Sequence, residues 1–267
     1  MLSSCPSQRG PAAPDFAVAR GDERTVDLPA DLRGLSLYGP AGRILVRAAE
    51  RPRVAASFVV SATTEDEARR VAAGCDLAVV PEGDLTRVEV RLPEGHPIER
   101  IGVDFVVELP PGLDLRLATH GGPIDTTAYE AGSQELHSQD GDLHIGRTRT
   151  RLVFESRRGD VEILGSFGEA SGSSEDGDLR VMSAARGGLL AFEATSSDIH
   201  LLPEPDASLE IVFDHLGAAL FSNVPLRRET EALPDGWTRE RLSVGEEGDC
   251  CRFAFRVREG KLVVGRD

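Results

Sequence analysis

From Leu113 to Leu202 apolar and polar residues alternate, and the alternation recurs at a fixed interval. Period two is the mark of a strand with one buried face. A short phrase punctuates it: Gly141-Asp142-Leu143, Gly159-Asp160-Val161, Gly177-Asp178-Leu179 and Ser197-Asp198-Ile199, with a weaker copy at Gly122-Pro123-Ile124. The steps between copies are 19, 18, 18 and 20 residues. Two residues after the start of each phrase stand Ile124, Leu143, Val161, Leu179 and Ile199; four after stand Thr126, Ile145, Ile163, Val181 and Leu201. Five before stand Leu117, Leu136, Phe154, Gly172 and Phe192; seven before stand Leu115, Gln134, Leu152, Ala170 and Leu190. His144, Glu162, Arg180 and His200 lie between them and are polar. Each unit is therefore strand–turn–strand with one face inward. A strand pair this short cannot bury that face alone, so a stack of rungs about 4.8 Å apart is expected. The fold class is all-β, a single-chain β-solenoid (β-helix-like) with 18–20-residue rungs.

Further expectations follow from the columns. Gly at the turn supplies positive φ, and Asp after it bonds the turn backbone. Thr119, Ser138, Ser156 and Ser174, just before the turn, are placed to bond adjacent rungs. The rung around Ala170-Ser171-Gly172-Ser173 is poor in volume, so Phe154 and Phe192 should lean into the gap.

Outside the regular rungs the pattern loosens. Val26/Leu28, Leu35/Leu37, Ile44/Val46 and Phe58/Val60 read as strands, and Gly42-Arg43-Ile44 is a degenerate copy of the phrase. Thr64-Glu65-Asp66-Glu67 is a capping box before Ala68–Ala73, with Gly74 suited to a left-handed stop, so one short helix is expected near 65–73. Strands resume at Asp76–Val80, Arg87–Leu92 and Val103–Leu109. Residues 1–14 are expected to be disordered, and 15–267 to form one domain. Within it lie regular rungs at 113–202, an irregular excursion at 223–248, and closing strands at 252–265 that cap the stack.

The net charge of −15 repels phosphate, which argues against nucleic acid and bare anionic membrane as partners. Aromatic residues are too few for a base-stacking platform. No apolar run is long enough for a transmembrane segment. No basic-then-apolar signal peptide is visible, although Leu2-Ser3-Ser4-Cys5 reads like the end of a lipoprotein cleavage site. Cys5, Cys75, Cys250 and Cys251 form neither a CxxC nor a zinc spacing and read as ordinary thiols, with at most one of the last two buried in a strand.

The phrases Ser138-Gln139-Asp140-Gly141-Asp142-Leu143, Ser156-Arg157-Arg158-Gly159-Asp160-Val161 and Ser174-Glu175-Asp176-Gly177-Asp178-Leu179 resemble a bacterial candidate-adhesin family with β-strand repeats, a domain family of unknown function. So does the lead-in Val107-Glu108-Leu109-Pro110 before Leu113-Asp114-Leu115. The resemblance is strongest over residues 101–202. It implies a β-solenoid, often exported or membrane-attached, with no established activity.

No HExxH, GxSxG, GxGxxG or P-loop occurs, so no catalytic or cofactor-binding residue is assigned and no cofactor is expected. No metal site is assigned either. The one arrangement with such chemistry is a candidate cation ladder, Asp142, Asp160, Asp178 and Asp198, whose stacked carboxylates a hard cation such as Ca²⁺ would relieve. Turn formation explains the same residues without a cation. His120, His137, His144 and His200 gather near the turns as solvent-facing groups; His144 and His200 share a column three rungs apart. The expected function is a non-enzymatic binding or structural module. Its partner would be a glycan, a cell-envelope component or a second copy. The alternatives are a polysaccharide-active β-helix enzyme and an intracellular self-assembling scaffold. The resemblance places the chain at the cell envelope or outside; the lack of a visible signal leaves the cytoplasm open.

Overall fold

The computed structural model describes residues 16–182, 188–204, 207–245 and 250–265, apart from the Glu99 side chain. The expectation for 1–14, like Cys5, falls outside them. The chain begins with β1 (Ala17–Arg20), β2 (Arg24–Asp27), β3 (Gly34–Gly39), β4 (Ile44–Ala48) and β5 (Arg53–Ala62). Helix α1 (Glu65–Gly74) leads to β6 (Asp76–Glu82), β7 (Leu85–Arg91) and β8 (Ile101–Leu109). Next come β9 (Asp114–Gly121), β10 (Ile124–Ala128), β11 (Glu130–Ala131), β12 (Gln134–Asp140), β13 (Leu143–Ile145), β14 (Arg147–Thr148) and β15 (Arg151–Arg158). They are followed by β16 (Val161–Ile163), β17 (Glu169–Asp176), β18 (Leu179–Val181) and β19 (Leu189–Leu201). The last strands are β20 (Leu209–His215), β21 (Ala219–Ser222), β22 (Arg227–Ala232), β23 (Thr238–Val244) and β24 (Cys251–Val264). The described residues are mostly β, with one α-helix, and their 22-stranded main sheet does not close.

Two parallel ladders carry the regular region. In the long one β9, β12, β15, β17 and β19 follow one another, and Leu117, Leu136, Phe154, Gly172 and Phe192 stand in register. In the short one β10, β13, β16, β18 and the second half of β19 align Ile124, Leu143, Val161, Leu179 and Ile199. All these residues except Gly172 are buried. The degenerate phrase joins as well: Ile44 pairs with Ile124, and Gly42 N–H donates to Gly121 O at 2.7 Å. The thin rung is filled as expected. The rings of Phe154 and Phe192, two rungs apart, close to 5.9 Å between centroids across Gly172, where a Cβ would run into the Phe154 ring.

A polar trio interrupts this core. Gln134 and Thr126, both from otherwise apolar columns, bond at 2.9 Å, and Gln134 Nε2 donates to Thr148 Oγ1 at 2.7 Å. Thr126 Oγ1 also accepts from Gly146 N–H. Each member of this trio therefore has partners, the condition for its presence there.

Several expectations need correction. Helix α1 forms where expected, and Thr64 accepts from Glu67 N–H, but Glu67 reaches back to the Thr63 N–H. Gly74 is not left-handed; the helix stops at Cys75, in extended backbone. The column before the turn does not bridge rungs. Thr119 and Ser156 donate within their own turns, to Gly121 O and Gly159 O, and the Ser138 and Ser174 hydroxyls have no partner among the described residues.

The chain ends are also not stacked in sequence order. On the long ladder β3 lies between β7 and β9, and β24 between β19 and β20. On the short ladder β4 lies between β8 and β10, and β24 between β19 and β21. So β24 is an interior strand rather than a cap. Its inward set, Phe253, Phe255, Val257, Leu262 and Val264, is wholly apolar and continues both core columns. The cap is the hairpin of β22 and β23, antiparallel against β20, in the region expected to be irregular. It suits the end of the stack because its inward face carries Glu240, buried and held by Arg228 at 2.7–2.8 Å and Thr230 at 2.8 Å. The outermost strand, β22, exposes every residue and is largely charged, which discourages edge-to-edge pairing.

Candidate functional site

The turn between the two ladders sets the first column of the site. A Cβ at Gly177 would strike the Gly159 carbonyl oxygen, and Gly159 has φ 145°, so glycine lets successive turns pack closely in a conformation other residues resist. Gly141, by contrast, is not at positive φ. The next residue in each turn is the aspartate. Its carboxylate does not close its own turn, as the sequence suggested. Asp160 N–H donates to Asp142 Oδ1 at 3.0 Å, Asp178 N–H to Asp160 Oδ1 at 2.9 Å, and Asp198 N–H to Asp178 Oδ1 at 3.0 Å. Arg43 N–H repeats the contact on Asp104 Oδ1 at 2.9 Å. The carboxylates form a ladder because each rung satisfies an N–H of the next.

The ladder has cations at both ends. Lys261, the single lysine of the chain, pairs in register with Asp198 and places Nζ 2.7 Å from its Oδ2. Beyond the opposite end, two rungs past Asp142, Arg43 turns to the neighbouring column and meets Asp125 at 2.7 Å. Between them the charges are unmatched. Neighbouring carboxylates about one rung apart repel by on the order of 1 kcal/mol in water, which one N–H bond to a charged acceptor offsets.

The second column comes from the outward positions of the short strands. His144, Glu162, Arg180 and His200 stand in register on β13, β16, β18 and β19. His144 Nδ1 lies 3.3 Å from Glu162 Oε2, and Arg180 is 4.0 Å from Glu162 Oε1. The two columns line a groove of about 350 Å³ formed by Asp142, His144, Asp160, Val161, Glu162, Asp178, Arg180 and His200.

The structure thus places three of the four ladder aspartates in the groove, with Asp198 at its end. It also joins a residue that column-by-column reasoning left out. The donor atoms of Asp178, Asp198 and His200 all lie within 4.8 Å of one another. His200 shares its column with His144, three rungs away, but its partners come from the neighbouring aspartate column. As a metal site the cluster is poor in free donors. Asp178 Oδ1 holds an N–H and Asp198 Oδ2 holds the Lys261 ammonium, whereas Ca²⁺ asks for six to eight oxygens. His120 and His137 stand elsewhere: His137, on the long ladder, lies 3.2 Å from both Glu135 and Glu155. Cys251 is buried and Cys250 half-buried, as their alternation required, and Cys75 is buried.

Among the described residues no helix is long and apolar enough to cross a membrane. No known family profile matches the chain, and no curated protein does. Several solved structures are similar in architecture. A candidate cell adhesion protein from Clostridium sporogenes is 10% identical, with 92% of this chain and 99% of that one covered and a TM-score of 0.35. A candidate adhesin from Bacteroides fragilis is 11% identical, with 94% and 98% covered and a TM-score of 0.39. A candidate adhesin from Parabacteroides merdae is 8% identical, with 91% and 95% covered and a TM-score of 0.34.

Proposed function

We propose that the chain is a non-catalytic β-solenoid that binds a partner through the groove on its short-strand face. The observation that carries this reading is the convergence of two polar columns, from four consecutive rungs, on one concave surface. The carboxylates there stack along one wall and spend one oxygen each on the neighbouring rung. A glycosidase-type pair needs two carboxyls facing each other across the scissile bond, an arrangement a one-sided ladder does not offer. A rigid row of side chains held by backbone ladders is instead suited to repeated weak contacts with an extended partner. The partner class is a component of the cell envelope or of a neighbouring cell surface.

The test is surface plasmon resonance against immobilised envelope polymers and peptides, comparing wild type with Glu162→Lys in the groove and Glu193→Lys on the exposed long-strand face. Loss of binding in the first variant alone supports the groove. Equal binding in both variants removes it.

A further inference from the structure

We propose that β21 is a docking edge for an extended peptide segment of a partner protein, which adds to the short ladder as one further strand. β21 closes that ladder. It pairs with β24, and no strand covers its other side among the described residues. Asn223 N–H donates to Val264 O, so the alternation of a parallel ladder turns the N–H and C=O of Leu220 to the open side.

The other outer strands are defended against such pairing, and β21 is not. β22 is exposed throughout and largely charged, β6 carries Pro81 between Asp76 and Glu82, and β2 runs from Arg24 to Asp27. β1 ends on Arg20 and shares a small core with α1. By contrast, the eleven residues from Leu216 to Leu226 carry no charge, in a chain with a net charge of −15. Phe221 is 55% exposed on the outer face, in register with half-buried Val263, and Leu220 is half-buried on the core side. Each face of the edge therefore offers an apolar contact to alternate side chains of an added strand. The segment that fits is uncharged and alternately apolar.

The shape of this end selects an extended segment over a folded neighbour. β20 and β21 both pair with β24 and lie at the same level of the stack. Beyond them the long ladder continues through β23 and β22, while the short ladder stops. Two stack ends cannot meet flush across that step, so a second copy is held off by its own hairpin. A single strand has no such step to cross. An edge of 4 residues also falls well short of the about 800 Å² per partner of a stable protein complex, which suits a peptide held by main-chain hydrogen bonds.

The experiment is fluorescence anisotropy of a labelled Ser-Val-Thr-Val-Thr-Val-Ser peptide titrated with the full chain, with hydrogen exchange followed across residues 216–226. The expected result is saturable binding, slowed exchange at Leu220, and at least about tenfold weaker binding to Phe221→Lys. That variant changes an exposed side chain, and its melting curve checks that the fold is intact. Glu193→Lys, on the long-strand face, should bind as the wild type does. A Ser-Gly-Thr-Gly-Thr-Gly-Ser peptide should bind at least about tenfold more weakly, because it brings no apolar side chains. No saturable binding of the valine peptide overturns the proposal. So does equal binding to Phe221→Lys, equal binding of the two peptides, or slowed exchange confined to residues outside 216–226. Sedimentation velocity without peptide tests the other occupant. A dimer that grows with concentration and vanishes in Phe221→Lys gives the edge to a second copy and overturns the foreign strand.

Discussion

Gly172→Ala sets two physical effects of opposite sign against each other. Gly172 lies in strand β17 outside the left-handed region, so alanine fits its backbone. Replacing a strand glycine then stabilises by about 0.5–1 kcal/mol, because the unfolded chain loses freedom. Against this, the new Cβ runs into the ring of Phe154, which is 1% exposed and stacked on Phe192 at 5.9 Å. Overpacking a closed core costs about 1–3 kcal/mol, and pulling the rings apart forfeits about 0.5–1.5 kcal/mol of aromatic contact. The balance is destabilising, by about 1.5 kcal/mol, or about 3–6 °C in Tm for a chain of this size. In a Phe154→Leu background the obstacle is gone, and the same Gly172→Ala change should stabilise by about 0.5 kcal/mol. Urea denaturation of the four proteins therefore yields a coupling of about 2 kcal/mol. Stabilisation by Gly172→Ala in the wild-type background, or an equal shift in both backgrounds, would refute the account of the thin rung.

Three further outcomes are expected. Gln134→Leu strands the Thr148 hydroxyl in the core and takes one partner from Thr126, which keeps the Gly146 N–H, and should cost about 1–3 kcal/mol by urea denaturation, despite adding apolar volume; a neutral result would mean the trio is dispensable. Arg228→Ala leaves the carboxylate of Glu240, whose side chain is 2% exposed, with Thr230 as its remaining close partner, and should cost about 2–3 kcal/mol. Burial lowers the His215 pKa, with Arg228 adding to the effect and Glu240 and Asp214 opposing it. The folded chain then binds fewer protons than the unfolded one, so this contribution is complete above about pH 6.5 and is lost as the pH falls through the lowered folded value. His215→Gln should flatten the fall in Tm between pH 7 and 5, and an unchanged profile would count against the burial argument.

The regular rungs were legible because their register is written in the period. Leu143, Val161 and Leu179 recur every 18 residues, and a parallel ladder pairs like with like. Even the gap at Gly172 could be read from its column. The ends were not legible, because β24 matches β19 by content rather than by interval: Phe255 faces Phe192 across a sequence separation of 63 residues. A missed signal lay in β23, where Glu240 shares parity with the buried Leu242 and Val244 and so had to point inward. The aspartates were found, but the direction of their carboxylates was not, since whether Oδ1 serves its own turn or the next depends on the pitch of the stack. The same limit applied to Ser138 and Ser156, identical in sequence position and different in bonding.

The placement of β24 also decides how the protein yields to load. A stack whose last strand lies outermost can be peeled, one hydrogen bond at a time, by a pull on that strand. Here β24 runs parallel to β19 on one edge and to β20 and β21 on the other. A tug along it must slide two ladders at once, so many bonds resist together instead of in succession. The chain is thus clasped at β24, and on this side of the sheet the strands that can leave first are β21 and the hairpin of β22 and β23.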